Sequence, residues 1–155
     1  MNRSDREITD KEEINELLEK GKFATIAFCR NNEPYIATLN YGFDFSQHAL
    51  YFHAALKGLK IEFLKTNPLV CATIIEDGGY LMDECSHAYR SVIINGTTHI
   101  VEQNEEKMRG MNILIEHLEE NPDIVKTKSL KSGRWIKNTA ILRLDVLHLT
   151  AKHGR

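Results

Sequence analysis

The sequence predicts an α+β fold, a mainly antiparallel barrel or sandwich with helices at its edges. Six or so runs of strand length, rich in β-branched residues, are spread over the chain. Helical spacing appears only in a few places, and strand and helix do not alternate as they would in βαβ units. With 155 residues, 42% of them hydrophobic, the chain is long enough to bury one core of its own. It shows no internal repeat, low-complexity tract or linker, so a single domain over residues 1–155 is expected.

The elements follow in order. Overlapping capping boxes at residues 9–12 and 10–13 can each open a helix through Ile14, Leu17 and Leu18, which Gly21 closes. Residues 23–29 read as a strand, 31–34 as a turn and 35–41 as the antiparallel partner. Residues 44–48 turn again into a short buried strand at 50–53, making a meander of three strands. Leu56, Leu59 and Phe63 then share helical spacing, and Asn67-Pro68 ends that helix. Residues 69–75 form a nearly continuous apolar run, expected as a central strand buried on both faces. Residues 76–79, with Gly78 and Gly79, break it, and a loop is expected to Ala88. Residues 89–96 and 99–101 read as one long strand with a bulge or bend at Gly96. Met108, Met111, Ile115 and Leu118 mark an amphipathic helix ending before Pro122. Residues 126–134 are polar and expected as a loop, and residues 140–150 alternate as a last strand.

Charge and cysteine content narrow the partners. A formal net charge of -2 argues against a broad polyanion-binding surface, so nucleic acid is not expected and any phosphate site must be local. Cys29, Cys71 and Cys85 are odd in number and form no CxxC pair, which suits a reducing compartment. The charged first residues do not resemble a signal peptide, and no apolar run reaches the length of a membrane span. A cytoplasmic protein without membrane partners is expected.

The strand-to-helix join at residues 54–58 is the most informative local feature. Lys57 and Lys60 fall in or near the first helical turn, where the helix dipole favours negative charge. A docked anion would accept from the free backbone N–H groups and pair with the lysines, and Gly58 would let the backbone come close to it. The alternative is that both lysines are simply solvated.

The succession of residues 34–40, 50–53, 58–60, Asn67-Pro68 and 89–92 with Gly96 resembles the pyridoxamine phosphate oxidase-like flavin-binding split barrels, above all the branch of nitroimidazole-resistance proteins. The resemblance spans roughly residues 23–101 and has a compatible final strand. It implies a six-stranded split barrel that binds FMN between the subunits of a homodimer. Residue by residue, it implies Thr38, Leu39 and Asn40 beside the flavin ring, Phe52 and His53 from the following strand, Lys60 at the phosphate with Lys57 and Gly58 nearby, and Arg90 and Ser91 on a later strand. There are departures. Leu59 stands where the oxidases proper carry an arginine, Asn40 where they carry a basic residue, and the C-terminal strand lacks their substrate-phosphate residues. Vitamin B6 oxidation is not expected.

His53 beside a flavin could donate a proton as electrons arrive, and is the catalytic candidate; the alternative is a histidine that only packs at a strand end. Cys85 and His87 lack a second ligand pair at metal-site spacing, so no metal is expected. No HExxH, GxSxG or P-loop pattern occurs. Two functional classes follow. One is an FMN-dependent oxidoreductase that passes electrons from NADH or NADPH to a small electron-poor acceptor such as a nitroaromatic. The other is a protein of the same fold that holds flavin or haem for storage or sensing.

Overall fold

A computed structural model describes residues 3–131 and 133–154. After a 3₁₀ turn at Ser4–Arg6 and a two-residue strand β1 (Glu7–Ile8), helix α1 (Lys11–Lys20) opens on Asp10, whose carboxylate accepts from the Glu12 N–H at 2.9 Å. Its apolar stripe buries Leu17 and Leu18 against the sheet. Strands β2 (Phe23–Arg30) and β3 (Glu33–Asn40) form a hairpin around Asn31 and Asn32, both at positive φ, the geometry that matches the twist of paired strands. Pro34 lies inside β3, and this is tolerated because β3 is an edge strand.

The expected three-strand meander stops there. Tyr41 is fully buried and donates its hydroxyl to the Leu18 carbonyl at 2.7 Å, which draws the chain off the β3 edge. Short β4 (Gly42–Asp44) and β5 (Ala49–Ala54) then pair with each other, and β5 pairs with the last strand rather than with β3. Helix α2 (Leu59–Thr66) buries Ile61, Phe63 and Leu64. Leu56 and Leu59, expected on that face, are exposed, because the helix begins only at Leu59 and Leu56 precedes it.

Strand β6 (Leu69–Leu81) and strand β7 (Ser86–Ile100) form a long hairpin, so the expected break and loop after Ile75 are replaced by continued pairing. The diglycine is absorbed as a bulge between Asp77 and Gly79, with the Asp77 carboxylate accepting from the Gly79 N–H at 2.7 Å. Strand β6 is buried on one face only: Val70, Ala72 and Ile74 point inward, while Leu69 and Ile75 are 58% and 61% exposed. The bend expected at Gly96 is present as a register shift after Asn95. A Cβ at Gly96 would collide with the Asp145 carbonyl, which is why glycine sits there.

Helix α3 (Asn104–Leu118) follows as expected. Of the expected polar loop 126–134, Lys126–Leu130 forms a π turn, residues 131, 133 and 134 are irregular as expected, and residue 132 lies outside the described residues; α4 (Pro122–Val125) and α5 (Trp135–Asn138) flank it, each too short to leave a periodic pattern in the sequence. Strand β8 (Ala140–Gly154) runs four residues beyond the expected end and pairs with β7, β5 and β1.

The sheet has eight strands in the order β3-β2-β6-β7-β8-β5-β4, with β1 on β8. Six are long and two, β1 and β4, are fragments. The sheet curls around one core that includes Ile26, Phe28, Phe52, Phe63, Ile94 and Leu142. Helix α3 covers β5 and β8 from outside, its Leu114 clustering with Tyr51 and Ile141. β3 and β5 approach each other without pairing, so the barrel is split and not closed.

Candidate functional site

The split has two lips, and their edges are unpaired. β3 uses only its β2 side, so alternate backbone N–H and C=O groups on its outer edge have no strand partner. On the other lip, β4 ends its pairing at Tyr51, and Phe52, His53 and Ala54 project beyond it. Side chains alternate on both lips. Leu39 packs inward against the core and Phe52 is fully buried in it, so each offers a ligand its backbone and not its side chain. Thr38 and Asn40 point outward. The Thr38 hydroxyl lies 2.9 Å from that of Thr25, and the Asn40 amide donates to the Lys22 carbonyl at 3.0 Å, leaving its carbonyl oxygen free.

From the second lip the chain runs directly into the α2 entry. Gly58 precedes the helix at φ 132° and ψ 173°, a conformation open essentially only to glycine, and a Cβ there would meet nothing within 4 Å. No side chain caps this helix start. The Ile61 and Glu62 N–H groups bond the Gly58 carbonyl, while the Leu59 and Lys60 N–H groups have no backbone partner among the described residues.

Ser91 stands elsewhere on the sheet. Cα register runs Thr38 to Thr25, Thr25 to Thr73 and Thr73 to Ile93, and Ser91 shares the face of Ile93. Thr38 and Ser91 therefore share the outer face, three strand spacings across and two residues along the strand, roughly 16 Å apart. Ser91 is 4% exposed and its hydroxyl has no hydrogen-bond partner. It borders an outer-face groove of about 520 Å³ with Ile75, Tyr89 and Lys152.

Arg90, the neighbour of Ser91, points to the opposite face and is committed to three carboxylates. Its guanidinium donates to Glu76 at 2.5 Å, Glu16 at 3.1 Å and Glu13 at 3.2 Å, tying α1 to the β6–β7 hairpin. Arg90 holds the Glu76 carboxyl below the usual range, and Lys20 and Arg90 together do the same for Glu16. Arg90 and Ser91 thus face opposite sides of the sheet, with the Arg90 guanidinium held by carboxylates and the Ser91 hydroxyl unpartnered.

The His53 side chain faces the α3 side of β5, opposite Ile141. It is exposed, hydrogen-bonded to no described residue, and lies on the wall of a cavity of about 320 Å³ beneath α3 and α5. Sequence reasoning missed the outward neighbours Thr25, Thr73 and Lys152. Alternation within β2, β6 and β8 could have indicated them, but only once the strand register was known. Among the described residues no cluster of His, Cys, Asp and Glu is arranged to hold a metal, and no helix is long and apolar enough to cross a membrane.

Residues 10–153 match the profile of the pyridoxamine 5′-phosphate oxidase family. No curated protein matches the chain. Among solved structures, it is similar to a protein from Bacteroides thetaiotaomicron described as a 5-nitroimidazole antibiotic resistance protein: 24% identity, TM-score 0.79, covering 96% of this chain and 86% of that one. It is also similar to the FAD and haem binding protein of Mycobacterium smegmatis, with 18% identity, TM-score 0.80, and 97% and 74% covered. A haem storage protein of Vibrio cholerae aligns with 17% identity, TM-score 0.66, and 92% and 94% covered. At these identities the likeness shows the fold alone.

Proposed function

The chain belongs to the pyridoxamine 5′-phosphate oxidase family, and from that membership we propose that it binds FMN and acts as an oxidoreductase, passing electrons from a reduced nicotinamide to a small electron-poor acceptor. The observation that carries this reading is the continuity of the second lip: an unpaired strand edge at Phe52–Ala54 runs straight into a glycine-opened helix flanked by Lys57 and Lys60. A ring with a polar edge fits the first feature and a phosphate fits the second. Both lie within one short stretch of chain.

In this reading Lys60, with Lys57 and the N–H groups after Gly58, holds the phosphate. The free edge of β3 at Thr38, Leu39 and Asn40, with the backbone of Phe52, orients the ring through hydrogen bonds. Bound FMN supplies the two-electron chemistry. His53 holds a proton at the rim of the second lip and delivers it to the acceptor.

A second copy of the chain completes the site. Phe23, Ile36, Leu69 and Ile75 are each more than half exposed and all lie on the outer sheet face, apolar surface that a second copy would cover. Ser91, roughly 16 Å from Thr38 along that face, is too remote to serve the same ring edge within one subunit. Its unpartnered hydroxyl suits a ligand held against the partner, so the proposal is a homodimer with FMN between subunits.

The experiment is a visible spectrum of the purified chain with FMN, followed by anaerobic NADH or NADPH and then a nitroaromatic. Bleaching of the flavin bands and their return on adding the nitro compound is the expected result. Flavin that binds but is never reduced by either donor would refute turnover and leave the storage reading.

A further inference from the structure

The outer-face groove beside Ser91 carries a positive charge that no carboxylate answers. Lys152 on β8 stands directly opposite Ser91 on β7 in the Cα register, and both line the groove of about 520 Å³ with Thr73, Ile75, Tyr89 and Ile93. The Lys152 ammonium lies 5.5 Å from the centre of the Tyr89 ring, a cation–π contact. Among the described residues it makes no ion pair. Its perch depends on a glycine. Tyr89 pairs with Gly154, and a Cβ there would collide with the Tyr89 ring, so Gly154 leaves open the space in which that ring lies and meets Lys152.

The other charges around the groove are already committed. Asp77 shares a 2.6 Å hydrogen bond with the His87 ring and accepts from the Gly79 N–H at 2.7 Å. Arg90 is on the opposite face, held by Glu76, Glu16 and Glu13. Ile75, Ile93 and Tyr89 make much of the remaining wall apolar or aromatic. Such a groove fits a flat ring better than a phosphate, which draws on several charged donors at once.

We propose that Lys152 sets the electron affinity of bound FMN, standing beside the ring from the subunit opposite the one whose α2 entry holds the phosphate. The inference rests on the FMN-bound homodimer proposed above, in which Ser91 and its groove face a ligand held against the partner. Two electrons and one proton, passed from a reduced nicotinamide that is thereby oxidised, leave the ring with one more negative charge than before. A fixed cation beside the ring stabilises that state relative to the uncharged one, and apolar walls limit the solvent screening that offsets the gain. Removing the cation therefore makes the bound ring harder to reduce. Affinity for the oxidised ring, which carries no net charge, depends on it little.

The experiment measures the midpoint potential of FMN on the purified protein, equilibrated anaerobically with a reference dye, in the parent and in Lys152→Met, Lys152→Gln and Lys152→Arg. In the two neutral variants the reduced form should lose about tenfold of its binding advantage, the lower end for one charged hydrogen bond. For a two-electron couple that lowers the potential by about 30 mV. Oxidised FMN should bind both variants as it binds the parent, and Lys152→Arg should keep the parental potential. Riboflavin, which lacks the phosphate, should show the same downward shift. A potential unmoved in both neutral variants, an equal fall in Lys152→Arg, or a shift seen with FMN and missing with riboflavin would each overturn the inference. Those results leave FMN binding intact, whereas a parent that takes up no FMN removes the flavin reading and this inference with it.

Discussion

Replacing Arg90 with methionine separates a structural role from a cofactor role. The substitution keeps most of the side chain's volume and apolar stem while removing the charge. Of its three ion pairs, the one to Glu76 at 2.5 Å is the shortest, with side-chain exposures of 25% and 41%. A shielded charged hydrogen bond contributes about 1.5–3 kcal/mol, but partners this exposed are screened toward the surface value of about 0.2–1 kcal/mol. The contacts to Glu13 and Glu16 are longer, at 3.2 and 3.1 Å, and are left out of the sum. A loss of about 1 kcal/mol is therefore expected, or roughly 2–4 °C in melting temperature for a chain of this size. The sign of the pH dependence follows from Glu76, whose folded-state pKa is depressed chiefly by its bond to Arg90. That contribution is present above the unfolded carboxylate pKa of about 4.3 and disappears as pH falls through the lower folded value. Urea melts of parent and Arg90→Met should thus differ at pH 7, and the difference should narrow as pH is lowered through the acid range. FMN affinity should be unchanged. A mutant as stable as the parent at pH 7 but tenfold or more weaker in FMN binding would refute this assignment and restore Arg90 to the cofactor.

Lys60→Ala should weaken FMN about ten- to a hundredfold by fluorescence titration, the loss of one charged hydrogen bond, while riboflavin, lacking the phosphate, binds parent and mutant alike; an equal loss for both ligands contradicts the phosphate assignment. His53→Ala should retain FMN and slow acceptor reduction by about 10²–10⁴ in stopped-flow assays, whereas parental rates would remove His53 from the mechanism. Ile75→Asp, a charge placed on the outer sheet face, should turn a sedimenting dimer into a 17.8 kDa monomer; a parent that is already monomeric at micromolar concentration rules out the dimer. His117 packs on Tyr41 and shares a 2.6 Å hydrogen bond with the Gly21 carbonyl, and its burial pushes its pKa below 6.5. The unfolded chain then binds a proton that the folded one resists, so stability should decline as pH drops below about 6.5, and His117→Gln should flatten that decline in denaturant melts.

What could be read from the sequence was local. The Asp10 cap, the Asn67 stop, the Gly96 bend and the apolar stripe of α3 each depend on residues a few positions apart, and each stands where expected. The α2 entry was legible for the same reason, because Lys57, Gly58 and Lys60 are neighbours in sequence. Errors arose where a distant partner decides. The Gly78-Gly79 pair looks like a strand end until β7 supplies the ladder that carries β6 across the bulge. Leu69, Cys71 and Ile75 look like core until the sheet shows that one of their faces lacks a cover. Arg90 finds two of its carboxylates more than seventy residues away, on α1. No periodicity in the chain encodes that pairing.

The position of β8 in the sheet has a consequence for how the molecule is made. β8 is the last strand in the described chain, yet it lies between β7 and β5 and also carries β1. Until it is in place, the β3-β2-β6-β7 sheet and the β5-β4 hairpin have no backbone link, and Leu142 and Leu144 are missing from the core they share. On the ribosome the barrel can therefore complete itself only after residue 154 has left the exit tunnel. The half-sheets wait with open edges at β7 and β5 throughout synthesis of the α3–α5 stretch. Assembly is a late, long-range event in this topology, a slow step by contact order, and the growing chain carries unpaired strand edges during that interval.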